Sequence, residues 1–244
     1  MQNKPEKVYI IIPTYNEREN LPDLVMAIEK IDLSYDWWIY VIDDNSPDGT
    51  GKIADDLALR GKRVKVIHRP KKEGLGSAYK AGFDQALEDG ANYIVTMDAD
   101  LSHNPAYLPE LIEEAAHSGD LVIGSRYIEG GKLVYPLGRR LLSRLANSVA
   151  RTLLGLSVLD ATAGFKCYRA VALSKIGYND FISNGYLFQV ESHASAQRNR
   201  LKIIEIPITF YDRISGQTKM TPKEAYQGLW YILKLFYKER KLRK

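Results

Sequence analysis

From residue 8 to residue 123 the chain alternates short apolar runs with longer stretches whose apolar residues recur every three or four positions. Residues 8–12, 37–42, 64–67, 93–97 and 121–123 are short, rich in β-branched and aromatic side chains and bounded by turn formers, which predicts buried strands. Between them, 21–31, 50–60, 77–88 and 105–116 carry helical periodicity; the second follows the turn formers Ser46, Pro47, Asp48 and Gly49, and the fourth is capped by Asn104. Strand, helix, strand repeated in this way predicts an α/β protein with a mostly parallel sheet, helices on both faces and right-handed crossovers.

The second half is less regular. Residues 137–154 predict a long amphipathic helix, 164–168 a short strand, 186–199 a helix, 203–210 a strand and 222–240 a terminal helix. There is no internal repeat and no low-complexity linker, so the organisation expected is one α/β unit over 1–220 followed by an amphipathic basic helix over 221–244. In the terminal segment Lys234, Lys238, Arg240, Lys241, Arg243 and Lys244 face Glu239 alone, interleaved with Leu235, Phe236 and Tyr237. That mixture suits contact with an anionic membrane surface, and equally a terminal helix docked on the domain with solvated lysines.

An open parallel sheet binds ligands beyond the carboxyl ends of its strands. Here those ends read Pro13-Thr14-Tyr15-Asn16-Glu17, Asp43-Asp44-Asn45-Ser46, His68-Arg69, Asp98-Ala99-Asp100 and Gly124-Ser125-Arg126. Acids, amides and arginines thus gather on one rim. Asp98 and Asp100 leave the end of a buried strand one residue apart, the arrangement a hard divalent cation uses to bridge a protein to the phosphates of a nucleotide.

Other chemistries are excluded by what is missing. Gly49-Thr50-Gly51-Lys52 resembles the end of a phosphate-binding loop, but Ser46 stands where its first glycine belongs and Ile53 where a hydroxyl belongs. The turn after the first strand has no dinucleotide fingerprint, and Gly74-Leu75-Gly76 lacks the third glycine in register; it lets backbone pass close to a ligand or begins the helix ending at Glu88. His68, His103, His117 and His193 are too scattered for a zinc site, and nothing interleaves basic and aromatic residues on strands as nucleic-acid binding would require. The composition, 45% hydrophobic with a net charge of +4, is that of an ordinary globular domain. The lone Cys167 excludes an internal disulfide framework and points to a reducing compartment, the N-terminal residues 1–7 show no signal peptide, and no run of roughly 18 apolar residues offers a membrane span.

Ile-Pro-Thr-Tyr-Asn-Glu at 12–17, Asp-Asp-Asn-Ser-Pro-Asp-Gly-Thr at 43–50 and Asp-Ala-Asp-Leu-Ser-His at 98–103 resemble the inverting family 2 glycosyltransferases of GT-A fold. Gly-Ser-Arg-Tyr at 124–127, Asp160 with Thr162 and Gly164-Phe165, Gly-Tyr-Leu-Phe-Gln at 185–189, and Arg213 with Gly216 and Lys219 narrow the resemblance to dolichol-phosphate and polyprenol-phosphate mannose synthases, over roughly residues 8–220. The resemblance implies a GT-A-type, Rossmann-like sheet and the transfer of mannose from GDP-mannose to a polyprenyl phosphate. The alternatives are transfer of glucose from UDP-glucose to such an acceptor and a noncatalytic nucleotide-sugar-binding subunit.

Carried over residue by residue, the resemblance assigns donor binding to Pro13, Tyr15, Glu17 and Asp44, with Asp43 available to brace the turn. Asp98 and Asp100 become ligands of Mg2+ or Mn2+, with Ser102 a short and weak substitute for the glutamine of some relatives. Arg126, Arg139 and Ser143 form the acceptor-phosphate pocket, although the sequence leaves open whether Arg139 or Arg140 turns inward, and Arg140 and Arg144 fit a solvated helix face as well. Arg213 and Lys219 belong to a loop closing over the diphosphate. Asp160 steadies the sugar or Arg126, or is a structural cap, and His103 touches the sugar or caps the following helix. The resemblance places the reaction at the cytoplasmic, inner face of a membrane, and leaves room for a separate membrane-anchoring subunit. A lipid phosphate is already anionic near neutral pH, so it attacks without a strong base, and placement and charge are the enzyme's task.

Overall fold

The computed structural model describes residues 5–183, 185, 187–211 and 222–242. Arg213, Gly216 and Lys219 of the expected closing loop lie outside the described residues, as does Tyr186. The first half follows the expected alternation: β1 (Lys7–Thr14), α1 (Leu21–Glu29), β2 (Asp36–Asp43), α2 (Thr50–Arg60), β3 (Val64–His68), α3 (Leu75–Glu88), β4 (Tyr93–Thr96), a single tight turn at Pro105–Tyr107 leading into α4 (Leu108–His117), and β5 (Leu121–Ser125). The second half comprises β6 (Lys132–Val134), α5 (Leu137–Leu154), β7 (Lys166–Arg169), α6 (Ala170–Ile176), α7 (Leu187–Arg198), β8 (Ile203–Pro207), β9 (Thr209–Tyr211) and α8 (Pro222–Leu242).

The main sheet has seven strands in the order β3-β2-β1-β4-β7-β5-β8. All pairings are parallel except those of β7, which runs antiparallel between β4 and β5. The strand expected at 164–168 starts later, at Lys166, and its direction was not foreseen. Because β7 runs against its neighbours, the segment 160–164 that leads into it crosses the carboxyl rim of β4 and β5. The strand expected over 203–210 is broken. Pro207, opposite Ser125, ends β8; the Ile208 amide donates to the Ser125 carbonyl at 3.0 Å, and the chain continues as β9, paired with β6 in a separate two-stranded sheet. Proline has no amide to extend the first ladder. The short helix α6 follows β7 without a loop and was not expected.

Alternation along β1 sends Val8, Ile10 and Ile12 to one face and Tyr9 and Ile11 to the other. The first set packs with Leu21, Leu24, Leu111 and Ile112 of α1 and α4, the second with Tyr79 and Phe83 of α3 and Phe188 of α7. Helix α3 rides unusually close: a β-carbon on Gly82 would stand 2.4 Å from a methyl of Ile11. Tyr79 stacks between Phe83 and Phe188, with ring centroids 5.9 and 5.8 Å away, and is thereby fixed beneath the rim.

Helix α8 lies against α5 and α7. Ile232 and Leu235 are buried, Glu239 is buried against Arg198, and the Lys238 ammonium donates to the Glu191 carboxylate and the Asp180 carbonyl, both at 2.8 Å. The described part of the basic terminal segment is therefore docked, and Lys238 is not one of the solvated lysines. No helix among the described residues is long and apolar enough to cross a membrane.

Candidate active site

Parallel strands bring their following loops together, and β1, β2 and β4 sit side by side at the middle of the sheet. A cavity of about 200 Å³ opens there, lined by Pro13, Tyr15 and Glu17 after β1, Asp44 after β2, and Asp98 and Asp100 after β4. Six residues singled out from separate motifs thus share one space. Backbone strain gathers at the same edge: Asn16, Asn45 and Leu101 all have positive φ, at 60°, 55° and 62°. Asparagine tolerates that region, but leucine adopts it only when its surroundings impose it.

The two second-strand acids divide their work. Asp43 braces the turn, accepting from the Ser46 amide at 3.1 Å, the Ser46 hydroxyl at 2.6 Å and the Thr14 hydroxyl at 3.2 Å. Asp44 faces the cavity, and its carboxylate pairs with buried Arg69 and accepts the amides of Glu73 and Gly74 at 3.1 and 2.9 Å. Gly74 has φ 91° and ψ 167°, open to glycine alone, and serves as the cap from which α3 starts toward the cavity. Lys72, with its ammonium 3.6 Å from the Tyr15 ring centroid, also lines the space. Sequence reading did not single it out.

Among the described residues, neutral groups reach Asp98 and Asp100. The buried Tyr79 hydroxyl donates to Asp98 Oδ1 at 3.3 Å; burial, and then the Asp98 charge, push its pKa well up, so it stays a donor. His103 accepts the Asp98 amide on Nδ1 at 3.0 Å and stacks on Phe165 with centroids 5.0 Å apart. Burial lowers its pKa despite the nearby aspartates, so the ring is neutral with its proton on Nε2. His103 thus fixes the loop rather than capping a helix. Asp100 accepts the Ser102 amide at 3.1 Å, while the Ser102 hydroxyl is buried without a hydrogen-bond partner among the described residues. No cluster of three or more His, Cys, Asp or Glu that could hold a metal occurs among the described residues. Two hard carboxylates facing a cavity still fit Mg2+ or Mn2+, since such ions commonly take their remaining ligands from water and substrate phosphates.

A second cavity of about 600 Å³ lies beside β5, β6 and the start of α5, lined by Arg126, Lys132, Tyr135, Arg140 and Arg144 among others. Arg126 is clamped: its Nε and one terminal nitrogen donate to Asp160 at 2.7 and 2.6 Å, and the same nitrogen reaches the Thr162 hydroxyl at 2.7 Å. Burial works against its charge, but the Asp160 carboxylate more than offsets this and raises its pKa. Asp160 is itself fully buried and oriented through its own amide, which donates to Glu205 at 2.9 Å. The assignment of Asp160 to Arg126, rather than to a cap, follows from these contacts. The same segment reaches the first cavity: the Thr96 hydroxyl donates to the Gly164 carbonyl at 2.7 Å, and a β-carbon on Gly164 would stand 3.7 Å from Asp98 Oδ1.

On α5 the arginines that line this cavity are Arg140, half-buried, and Arg144, exposed, four residues apart and so on one face. Arg139 does not line the cavity; its guanidinium lies 4.2 Å from the Tyr135 ring centroid, because the helix turns it by about 100° from its neighbour. The alternative of a solvated face holds for Arg144, which is exposed at the cavity's edge, while half-buried Arg140 turns toward the cavity. Ser143 shares a 2.8 Å hydrogen bond with the Tyr127 hydroxyl, beside Arg126.

Similarity to known proteins agrees with this architecture. Polyprenol monophosphomannose synthase of Mycolicibacterium smegmatis is 43% identical over 229 residues, 93% of this chain and 86% of that protein. Undecaprenyl-phosphate mannosyltransferase of Micrococcus luteus is 45% identical over 216 residues, 88% of each. Among solved structures, glucosyl-3-phosphoglycerate synthase of Mycobacterium tuberculosis, in complex with Mn2+, UDP and glucosyl-3-phosphoglycerate, superposes with a TM-score of 0.68 at 17% identity, covering 96% of this chain and 80% of that one. A complex of the same enzyme with Mg2+ and UDP gives 0.69 at 16% identity, covering 96% and 79%. At such identity these structures speak to the fold alone. Residues 9–177 match the model of glycosyl transferase family 2, and the chain belongs to that family.

Proposed function

We propose that this chain transfers mannose from GDP-mannose to a polyprenyl phosphate, with GDP as the other product, at the inner face of a membrane. The observation that carries the reading is the pairing of a carboxylate-lined cavity with an arginine-lined one on a single rim, joined by the segment 160–164. One suits the cation-bound diphosphate of a donor, the other the phosphate of an acceptor. The names of the two relatives, both over 40% identical across most of the chain, favour mannose and a polyprenyl acceptor.

In this reading Pro13, Tyr15, Glu17 and Asp44 hold the nucleoside. Asp44 is already braced by Arg69 and two amides, yet a carboxylate has about four lone-pair sites and can still accept a hydroxyl. Asp98 and Asp100 hold Mg2+ or Mn2+, which when bound supplies charge neutralisation for the departing diphosphate. Arg213 and Lys219 are assigned to that diphosphate as well. Arg126, kept in place by Asp160, receives the acceptor phosphate together with Arg140 and Arg144, while Ser143 contributes through Tyr127 and Arg139 stands at the margin. Guanidinium groups suit this task because they bind phosphate oxygens in bidentate fashion. The acceptor oxygen arrives charged, so no residue need take its proton, and neutral, buried His103 is left to position Asp98.

The test is transfer by the full chain, with Mn2+ present, from GDP-mannose and from UDP-glucose in turn, to a short-chain polyprenyl phosphate. Mannosyl lipid from GDP-mannose is expected. Donor hydrolysis without a lipid product, or faster glucosyl transfer, would overturn the reading.

A further inference from the structure

Residues 159–161, between α5 and β7, belong to no helix or strand, yet side chains from three elements take up their backbone groups one by one. The two carboxylate oxygens of Glu205 on β8 accept adjacent amides, those of Leu159 at 2.7 Å and Asp160 at 2.9 Å. Asn147 on α5 donates from its side-chain nitrogen to the Leu159 carbonyl at 2.7 Å and accepts the Ala161 amide on its side-chain oxygen at 2.8 Å. His193 on α7 donates from Nδ1 to the Ala161 carbonyl at 3.0 Å. A buried amide or carbonyl left unpaired is costly, so these contacts give the backbone around Asp160 a single course.

Asn147 is also the first buried side chain along α5, since none of residues 137–146 is buried. That end of the helix is therefore not seated by apolar side chains in the core. Polar tethers act there instead: the hydrogen bond between Ser143 and Tyr127, and the pair that Asn147 makes across residue 160. At helical spacing Arg140, Arg144 and Asn147 share one face. We propose that Asn147 is a positioning residue of the arginine-lined cavity. It fixes α5 to the segment that aims Asp160 at Arg126, and so sets Arg140 and Arg144 against Arg126. What the three guanidinium groups receive rests on the acceptor reading above; the tether itself does not.

An amide suits this position because one neutral group both donates and accepts. Aspartate could accept the Ala161 amide but would turn an oxygen toward the Leu159 carbonyl, and alanine would make neither bond. Spacing matters here because several guanidinium groups must converge on one phosphate, and small displacements of positioning groups are costly to a reaction.

The experiment is calorimetric titration of the full chain with a short-chain polyprenyl phosphate, donor absent, followed by the KM for that acceptor and for GDP-mannose in transfer with Mn2+. We expect Asn147→Ala to weaken acceptor binding and raise acceptor KM about tenfold, with the KM for GDP-mannose within about twofold of wild type. Ser148→Ala, at the exposed neighbouring position, should change neither. In the double variant Asn147→Ala, Arg144→Ala the loss should fall about threefold or more short of the product of the two single losses, since a tether has less to place once one arginine is gone. A residue that only supports the fold would give losses that multiply, or would weaken donor and acceptor alike. Asn147→Ser, whose hydroxyl still satisfies one of the two backbone groups, gives a smaller loss in the same direction and serves if the alanine variant does not fold. Acceptor binding within about twofold of wild type in the folded variants, an equal rise in donor KM, or losses that multiply overturns the proposal. A wild-type chain that binds no polyprenyl phosphate refutes the acceptor reading and takes this inference with it. Acceptor binding that depends on Asn147, with no mannosyl product, would sink the reaction assignment and leave the positioning role standing.

Discussion

The two cavities on the rim are held in different ways. The first is built mainly from backbone: its loops leave three adjacent parallel strands, strained residues at Asn16, Asn45 and Leu101 set their course, and Gly74 lets α3 begin at its wall. The second is built from side chains: Arg126 is aimed by Asp160 and Thr162 from more than thirty residues away, and Arg140 and Arg144 by the pitch of a helix. A backbone-built wall survives the loss of any one side chain. A clamp of buried opposite charges does not, because removing one partner strands the other.

Substitutions should expose that difference, and the largest effect belongs to the first cavity. Asp100→Ala should lower mannosyl transfer by about a thousandfold or more through loss of the cation's anchor, with stability falling by only about 1 kcal/mol for the Ser102 amide it no longer receives, as read by product formation and by urea unfolding. Asp160→Ala should reverse the balance, costing about 3–5 kcal/mol of stability because Arg126 is left buried and unpaired; unchanged unfolding would refute the clamp. Next comes the register of α5. Arg144→Ala should raise the KM for acceptor about tenfold, whereas Arg139→Ala should change it by less than about threefold. Equal effects would mean the helix is rotated from the position seen. The smallest change is Gly138→Ala, where a β-carbon meets nothing within 4 Å: about 0.5 kcal/mol of added stability in thermal unfolding, with donor KM unmoved.

How far the sequence could be read follows the same division. Pro13, Tyr15, Glu17, Asp44, Asp98 and Asp100 each stand just past an apolar run, and a parallel sheet leaves such positions no choice but to converge. Tyr79 was hidden because a tyrosine at a helical apolar position looks like core, which it also is. The direction of β7 was not legible, since a four-residue buried strand reads the same either way. Arg139 and Arg140 are neighbours in sequence, and only the rotation of α5 separates their fates. The break between β8 and β9 is signalled by Pro207 but masked by the apolar run, which continues through Ile208 and Phe210.

One feature of the sheet sets a length scale. With β7 slotted between β4 and β5, the strand that delivers Asp98 and the strand that delivers Arg126 are second neighbours, about 10 Å apart at the usual spacing of hydrogen-bonded strands. Had β4 and β5 been adjacent, the carboxylate-lined and arginine-lined cavities would crowd each other and, on the proposed reading, leave no seat for a hexose. In the proposed transfer the inserted strand acts as a ruler, holding the place of departure and the place of arrival one sugar apart.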